Sequence, residues 1–283
     1  MNRRLFLRTA SQAAAAGLCL AKLTPAALAH SMKKLTRIGM QLYTVRRELE
    51  KDFEGTLKTV AALGYSEVEF AGYFNHPPKE VRAVLDRYRL NSPAGHVPLD
   101  ALGGSLDQMI EAAHVIGHKY VLVAWLPPEE RKSLDNYKRL ADLFNRTGEK
   151  LKKAGVQFAY HNHDFEFTPL EGRLPYDLLL ERMDPELVKL ELDLYWIVKG
   201  GADPLKYFAK QPGRFHLLHV KDMDATPQRY FTEVGRGVID FKTIFAHARQ
   251  AGVRHYFVEQ DETPGSPFDS LKISIDYLKR LEF

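Results

Sequence analysis

Short apolar runs alternate with amphipathic stretches along most of the chain. Residues 120–125 form an uninterrupted apolar run, as is typical of a strand buried on both faces. Residues 48–63 carry apolar side chains at helical spacing, and Gly64 follows them as a helix stop. The recurrence of these two patterns predicts a series of strand–helix units.

Eight such units follow one another from residue 37 onward, with no linker or low-complexity segment between them. The predicted strands cover residues 37–43, 68–70, 92–97, 120–125, 156–162, 188–194, 215–220 and 256–259. The predicted helices cover residues 48–63, 78–88, 106–117, 133–154, 176–183, 204–210, 241–251 and 268–281. Eight units in about 250 residues predict an α/β fold, a single (β/α)8 TIM barrel over residues 30–283.

An open, doubly wound parallel sheet is the alternative to a closed barrel. Such sheets usually have fewer strands, and no Gly-x-Gly-x-x-Gly motif follows the first predicted strand to bind a dinucleotide. Gly235-Arg236-Gly237 follows a predicted loop instead and precedes Asp240, which suits a helix N-cap. We therefore favour the closed barrel.

The first 29 residues have the pattern of an export signal and not of a barrel unit. The pair Arg3-Arg4 is followed by Phe6-Leu7, and a short run of Ala, Gly and Leu covers residues 13–21. This spacing resembles a twin-arginine signal, which implies that residues 1–29 are cleaved and that the barrel is periplasmic. The apolar run is too short to span a bilayer, so we expect no membrane anchor.

Removal of this segment changes the charge of the chain. The whole chain has a net charge of +4, and residues 1–29 hold four basic residues and no acidic one, so residues 30–283 are neutral. A neutral domain lacks the basic surface of a nucleic-acid-binding protein. The single cysteine, Cys19, lies in the predicted signal, so the barrel must be stabilised by its hydrophobic core and not by disulfides.

Ligand-type side chains lie at the carboxyl-terminal ends of four of the predicted strands. The fifth strand leads into His161 and His163, and the last three lead into Asp193, His219 and Glu259. The carboxyl-terminal ends of barrel strands share one rim, so we expect these side chains to meet around one metal ion. A mixture of imidazoles and carboxylates favours Mn²⁺, Zn²⁺ or Fe²⁺ over Ca²⁺ and Mg²⁺.

Each of these side chains also has an ordinary structural explanation. Asp193 suits a helix N-cap, and a histidine in an apolar strand, such as His219, is commonly a hydrogen-bonded core residue. Glu259 is harder to explain in this way, because a buried carboxylate without a partner is costly. The joint occurrence at independent strand ends favours a site. The candidate substrate-binding residues at the same rim are Gln41, Glu69, His96, Trp125 and Lys221.

The segments 64–70, 161–167, 192–193, 218–222 and 258–259 together resemble the xylose isomerase-like barrels that are grouped as sugar phosphate isomerases/epimerases. The resemblance covers roughly residues 36–283. It implies a divalent metal ion and a substrate contacted by His96 and Lys221. The metal ligands that it implies are His161, Asp193, His219 and Glu259.

The chain departs from this family at the fifth strand. Relatives that epimerise ketoses usually carry Glu at the position of His161, where two glutamates act as ligands and as the acid/base pair. With an imidazole at that position, the candidate catalytic residues are Glu259, Glu166 and His163. Either His161 or His163 is available as the fifth-strand ligand.

The resemblance implies a metal-dependent isomerase or epimerase that moves a proton through an enediolate. Export argues against a sugar phosphate, so the expected substrate is a non-phosphorylated sugar or keto-sugar. A keto-glycoside lyase or hydrolase at the same site is one alternative, and a non-catalytic sugar-binding barrel is another. Endonucleases for abasic DNA share this barrel, but the neutral charge and the export signal argue against that function. The sequence is compatible with a homo-oligomer.

Overall fold

The structure is a computed structural model that describes residues 33–283. The predicted export signal over residues 1–29 lies outside the described residues. Within residues 33–283, none of the helices combines the length and the apolar character that crossing a membrane requires.

Eight parallel strands close into a barrel in which each strand pairs with its neighbours along the chain. The last strand pairs with the first, so the sheet has no open edge. The strands are Gly39–Gln41 (β1), Glu67–Ala71 (β2), Asn91–His96 (β3), Tyr120–Val123 (β4), Gln157–His161 (β5), Val188–Asp193 (β6), Phe215–Val220 (β7) and His255–Val258 (β8). A two-stranded antiparallel pair, Asp222–Met223 with Phe231–Thr232, lies between β7 and β8. The prediction of a (β/α)8 TIM barrel is confirmed.

Helices follow every strand of the barrel. They are Arg46–Lys51 (α1), Phe53–Leu63 (α2), Pro78–Tyr88 (α3), Ala101–Gly104 (α4), Leu106–Ile116 (α5), Leu134–Lys153 (α6), Pro175–Arg182 (α7), Leu194–Lys199 (α8), Pro204–Lys210 (α9), Phe241–Ala246 (α10), Ala248–Ala251 (α11) and Pro267–Arg280 (α12). Short 3-10 segments cover Leu42–Val45, Pro128–Arg131 and Phe165–Phe167.

The helix boundaries follow from capping residues that the sequence supplies. Ser133 accepts a hydrogen bond from the backbone N–H of Asn136 at the start of α6, and Gly64 ends α2 in the left-handed region at φ 102°. The predicted helix over residues 48–63 is wrong in one respect. Asp52 is extended and caps a new helix through the N–H of Gly55, which divides the segment into α1 and α2.

Side-chain alternation along the strands divides the barrel interior into layers. One layer is apolar and forms a buried cluster of its own, made of Ala94, Tyr120, Leu122, Ala159, Leu217 and Phe257. Four polar residues each follow a member of this cluster by two positions in the sequence, namely His96, His161, His219 and Glu259. Because every second residue of a strand shares a face, the polar side chains stand directly above the apolar layer. The barrel thus provides a packed floor beneath its carboxyl-terminal rim.

Substitution of Gly39 tests how tightly this interior is packed. A Cβ atom at Gly39 would lie 2.5 Å from the ring of Phe257 and 3.1 Å from the carbonyl oxygen of Tyr256. We expect Gly39→Ala to lower the free energy of unfolding by about 1–3 kcal/mol, because a packed core resists an added methyl group. Urea unfolding followed by circular dichroism measures this.

Gly103 is the matched control, because a Cβ atom there meets nothing within 4 Å and the residue lies in α4. We expect Gly103→Ala to change stability by less than about 1 kcal/mol, or to increase it, since alanine favours helices. Equal losses in the two variants would contradict the packed interior.

Candidate active site

A cavity of about 1590 Å³ opens at the carboxyl-terminal rim of the barrel. Its wall carries both charged and aromatic side chains. Those used below are His96, Trp125, His161, His163, Lys221, Glu259 and Asp261. Two residues predicted to bind substrate, Gln41 and Glu69, are fully buried and lie outside this wall, while His96, Trp125 and Lys221 belong to it.

His219 lies at the centre of the polar layer and is fully buried. Its Nε2 atom is 2.6 Å from Glu69 Oε2 and 3.1 Å from Glu191 Oε2. Its Nδ1 atom is 2.9 Å from Glu259 Oε2. The ring therefore joins two groups of donor atoms, each compact enough to hold a metal ion. We name them the lower group, made of His96, His161, Glu191 and His219, and the upper group, made of Asp193, His219 and Glu259.

The lower group converges on one carboxylate oxygen. Glu191 Oε2 lies 3.0 Å from His161 Nδ1, 3.2 Å from His96 Nε2 and 3.1 Å from His219 Nε2. Sequence analysis did not identify Glu191. The available signal was its place in β6, two residues before Asp193 and therefore on the same face, where it pairs in register with His161.

Glu69 and Gln41 lie beside the lower group. Gln41 Nε2 donates a hydrogen bond of 2.8 Å to Glu69 Oε2, and the same oxygen is 3.1 Å from His96 Nε2. Both residues are buried, so they contact other polar side chains and not the open cavity. Their position supports the polar layer from below.

The upper group contains an ammonium group as well as carboxylates. Lys221 Nζ lies 3.0 Å from Glu259 Oε2, 3.3 Å from Asp193 Oδ2 and 2.8 Å from Asp261 Oδ1. Asp261, which sequence analysis did not single out for a role, thus forms a third ion pair with Lys221. It follows Glu259 by two residues, so the alternation along the strand was the signal for it.

The four predicted metal ligands divide between the two groups. Asp193, His219 and Glu259 come together, while His161 belongs to the lower group. The groups are close to one another, since His161 Nε2 is 3.7 Å from Asp193 Oδ2. Asp193 Oδ2 is 3.8 Å from His219 Nδ1, and Asp193 also caps α8 through the N–H of Trp196.

His163 belongs to neither group and forms part of an aromatic wall. Its ring stacks on Phe165 with a centroid distance of 5.5 Å and meets Trp125 edge-on at 5.0 Å. Trp125 is 51% exposed, so one flat apolar surface faces the cavity opening. Burial lowers the pKa of His163 well below its ordinary value, so this imidazole is neutral.

Glu166 lies behind the cavity wall and is fully buried. The hydroxyl group of Tyr160 donates to Glu166 Oε1, and the backbone N–H of His163 donates to Oε2 at 2.8 Å. Glu166, which the sequence predicted to be catalytic, therefore does not face the cavity and instead stabilises the loop after β5. Glu259 and His163, the other two predicted catalytic residues, face the cavity.

The charges of the polar layer depend on one another. Burial disfavours the charged form of His219, but Glu191 and Glu259 outweigh burial and raise its pKa well above the ordinary value. Burial also favours a neutral Glu259, but Lys221 and His219 lower the pKa of this carboxyl group well below its usual range. Glu259 is consequently ionised at neutral pH.

Three carboxylate oxygens in this layer have no hydrogen-bond donor among the described residues. They are buried, and they are Glu69 Oε1, Glu191 Oε1 and Asp193 Oδ2, the last of which has only the ion-pair contact with Lys221 Nζ at 3.3 Å. A buried carboxylate oxygen without a partner is costly, and a cation removes that cost. The neighbouring donors are imidazoles and carboxylates, which Zn²⁺, Mn²⁺ and Fe²⁺ accept. The cluster is therefore suited to a divalent metal ion.

Comparison with known proteins gives relatives along most of the chain. An inosose dehydratase of Geobacillus kaustophilus is 26% identical over 266 residues, which is 80% of this chain and 86% of that protein. An inosose dehydratase of Lacticaseibacillus casei is 24% identical over 259 residues, which is 78% of this chain and 86% of that protein.

Solved structures show the same barrel. A sugar phosphate isomerase/epimerase from Parabacteroides distasonis has a TM-score of 0.76 and 28% identity, covering 86% of this chain and 98% of that one. The IolI protein with a bound zinc atom has a TM-score of 0.68 at 15% identity, covering 87% and 99%, and shows the fold alone. The model of the family described as xylose isomerase-like TIM barrel matches residues 57–281. The chain belongs to the xylose isomerase-like TIM barrel family.

Proposed function

We propose that this protein is a metal-dependent enzyme that removes a proton from the carbon next to the carbonyl of a non-phosphorylated sugar or cyclitol. We further propose that it then expels the oxygen substituent of the neighbouring carbon, as a dehydratase or lyase. The observation that supports this best is the ionised Glu259 carboxylate at the cavity wall, held 3.0 Å from Lys221 Nζ and 2.9 Å from His219 Nδ1. Export to the periplasm by the twin-arginine route belongs to the same proposal.

Glu259 is suited to act as the base. Its carboxylate is ionised, fixed by Lys221 Nζ and His219 Nδ1 and open to the cavity, so it can take a proton from a bound substrate. The Lys221 ammonium stands beside it and can stabilise the negative charge that develops on the enediolate oxygen.

His219 is shared by both donor groups and would be a ligand of a divalent cation in either of them. Such a cation would supply Lewis acidity for a substrate carbonyl. The exposed face of Trp125 provides an apolar surface on which a sugar or cyclitol ring can pack.

Elimination needs only one base in this site. The electrons of the C–H bond form the new double bond, the C–O bond breaks with its electron pair, and the proton held by Glu259 passes to the departing oxygen as water or alcohol. Inversion of a carbon needs a second acid on the opposite face. The fifth-strand position that carries Glu in ketose epimerases is His161, and His163 at the cavity wall is neutral. The names of the curated relatives, inosose dehydratases, support elimination.

An isomerase or epimerase acting through the same enediolate is the second candidate. It is favoured by the relative from Parabacteroides distasonis, which is named a sugar phosphate isomerase/epimerase and is 28% identical. Both functions share the proton abstraction and differ in where the proton goes.

Incubation of the metal-loaded protein with keto-sugars, keto-glycosides and inososes in D₂O distinguishes these functions. We expect loss of water or alcohol from at least one substrate, detected by mass spectrometry, because Glu259 protonates the leaving oxygen. Deuterium in an otherwise intact, inverted or isomerised sugar, seen by NMR, would favour the second candidate. Neither exchange nor elimination, with binding retained, would indicate a sugar-binding barrel.

Replacement of the base tests the role of Glu259. We expect Glu259→Gln to lower the rate of proton abstraction at least about 100-fold, because the amide cannot accept the proton. Glu149→Gln is the control, since Glu149 lies on the exposed side of α6 and pairs with Lys153. The control is expected to match the native rate, and native-like activity in Glu259→Gln would exclude this carboxylate as the base.

Glu166 supports the loop after β5, and we expect its titration to make the stability of the fold depend on pH. Burial raises the pKa of its carboxyl group from 4.5 to about 7, although Tyr160 and the N–H of His163 oppose the shift. The folded chain therefore holds a proton that the unfolded chain releases near pH 4.5. The stabilisation is complete below that pH and is lost as the pH rises through 7.

We expect the free energy of unfolding to fall by on the order of 3 kcal/mol between about pH 4.5 and about pH 7.5, because the Glu166 carboxyl group loses its proton in the folded protein over this interval. Glu166→Gln lacks that component, so its stability should depend less on pH over this interval. Urea unfolding at several pH values compares the two proteins. Parallel pH profiles would show that Glu166 does not titrate with folding.

A further inference from the structure

We propose that the amino-terminal end of the barrel carries a second binding site, which takes a phosphate group. The site is a cavity of about 440 Å³ at the start of the strands, at the end of the barrel opposite the candidate active site. Cavities that bind small molecules usually measure roughly 300–1,000 Å³. The inference does not depend on the proposed function, because the two cavities share no lining residue among residues 33–283.

The lining of this cavity is mainly cationic. Lys119, Lys152 and Arg254 are exposed and line it together with His255. Lys119 directly precedes β4 and Arg254 directly precedes β8, while Lys152 lies in the last turn of α6. Positive side chains from three separate segments of the chain therefore converge on one opening.

The cavity also has buried polar groups in its lining. Tyr120 is 3% exposed and His216 is 5% exposed. The hydroxyl group of Tyr120 lies 3.1 Å from His216 Nδ1 and accepts a hydrogen bond of 3.4 Å from the Arg254 guanidinium. The ring of Tyr120 belongs to the apolar layer beneath the active site, so this layer separates the two cavities.

The cations that line the cavity have few anionic partners. His255 Nδ1 lies 2.8 Å from the buried carboxylate of Glu67. Among residues 33–283, no carboxylate forms an ion pair with Lys119, Lys152 or Arg254. Their ammonium and guanidinium groups are therefore available to an anion from solution.

Lys189 adds a further positive charge close to this cavity. Its side chain is 12% exposed, and its Nζ atom lies 3.8 Å from the exposed carboxylate of Glu186. Burial lowers the pKa of Lys189, Glu186 opposes this shift, and Arg214, Arg254 and Lys152 add to it. Like charges that lower one another's pKa repel each other, and a bound anion would relieve that repulsion.

Positive side chains at this end of a barrel can also offset the negative ends of the helix dipoles. This explanation suits Lys152, and it suits Arg214, which donates to two backbone carbonyl oxygens at the end of α7. It does not account for Lys119 and Arg254, which lie at the start of strands. The convergence of these two residues with Lys152 favours a ligand.

A phosphate group matches the chemistry of this lining. It carries about two negative charges near neutral pH and presents several acceptor oxygens. Arginine and lysine donors bind such an anion from several sides through charge-assisted hydrogen bonds. The hydroxyl group of Tyr120 and the imidazole of His216 add neutral hydrogen-bonding groups to the same cavity.

Calorimetric titration of the full-length, metal-free protein with inorganic phosphate, at constant ionic strength, tests the proposal. We expect Lys152→Gln and Arg254→Gln each to weaken phosphate binding at least about tenfold, because each variant removes a charged donor. Lys153→Gln is the matched control, since Lys153 is the next residue of α6 but pairs with Glu149 at 2.8 Å. We expect the control to stay within about twofold of the native affinity, and circular dichroism verifies that each variant is folded.

Nuclear magnetic resonance of histidine side chains locates the bound phosphate. We expect phosphate to shift the imidazole signals of His216 and His255 and to leave those of His161 and His219 unchanged. Shifts confined to His161 and His219, equal weakening in Lys153→Gln, or no phosphate binding would overturn the proposal.

A second titration with glycerol 3-phosphate identifies the source of the phosphate group. Tighter binding than that of inorganic phosphate would support a phosphorylated small molecule as the ligand, because the cavity has room for an attached organic group. Equal or weaker binding would support the free ion.

Discussion

A buried, negatively charged ring of carboxylates must be neutralised in this barrel, and His219 is the side chain through which this happens. Both of its nitrogens face carboxylates, with Glu69 and Glu191 on one side and Glu259 on the other. In a closed barrel no water reaches these groups from the sides, so their charges must be balanced by other groups in the layer. The protein supplies Lys221 beside Asp193 and Glu259, and the donor atoms around His219 are suited to a metal ion.

The geometry of the barrel brings these charged side chains together in one buried layer. Parallel strands with alternating side chains bring residues from several strands into the same layer, and the layer below is filled by side chains such as Leu217 and Phe257. The apolar floor excludes water and strengthens every charge interaction above it. Reactive side chains at the ends of different strands can therefore be close in space while they lie far apart along the chain.

Much of this arrangement was predictable from the sequence. The repeated apolar and amphipathic segments gave the eight strand–helix units, and the strand ends gave His161, His219 and Glu259. Glu191 was missed because the same strand also ends in Asp193, and a strand-end rule selects only the last polar residue. The register of β6 against β5, which places Glu191 opposite His161, depends on closure of the whole sheet. The break at Asp52 and the burial of Glu166 likewise depend on local backbone and packing that periodicity does not encode.

The most direct test is a crystal structure of the zinc-loaded protein with anomalous data collected at the zinc absorption edge. We predict a single strong peak in the polar layer, bonded to His219 and to the imidazoles and carboxylates grouped around it. A peak elsewhere on the protein, with none in this layer, would contradict the placement of the ion at His219. Complete absence of zinc would contradict the metal-dependent function itself.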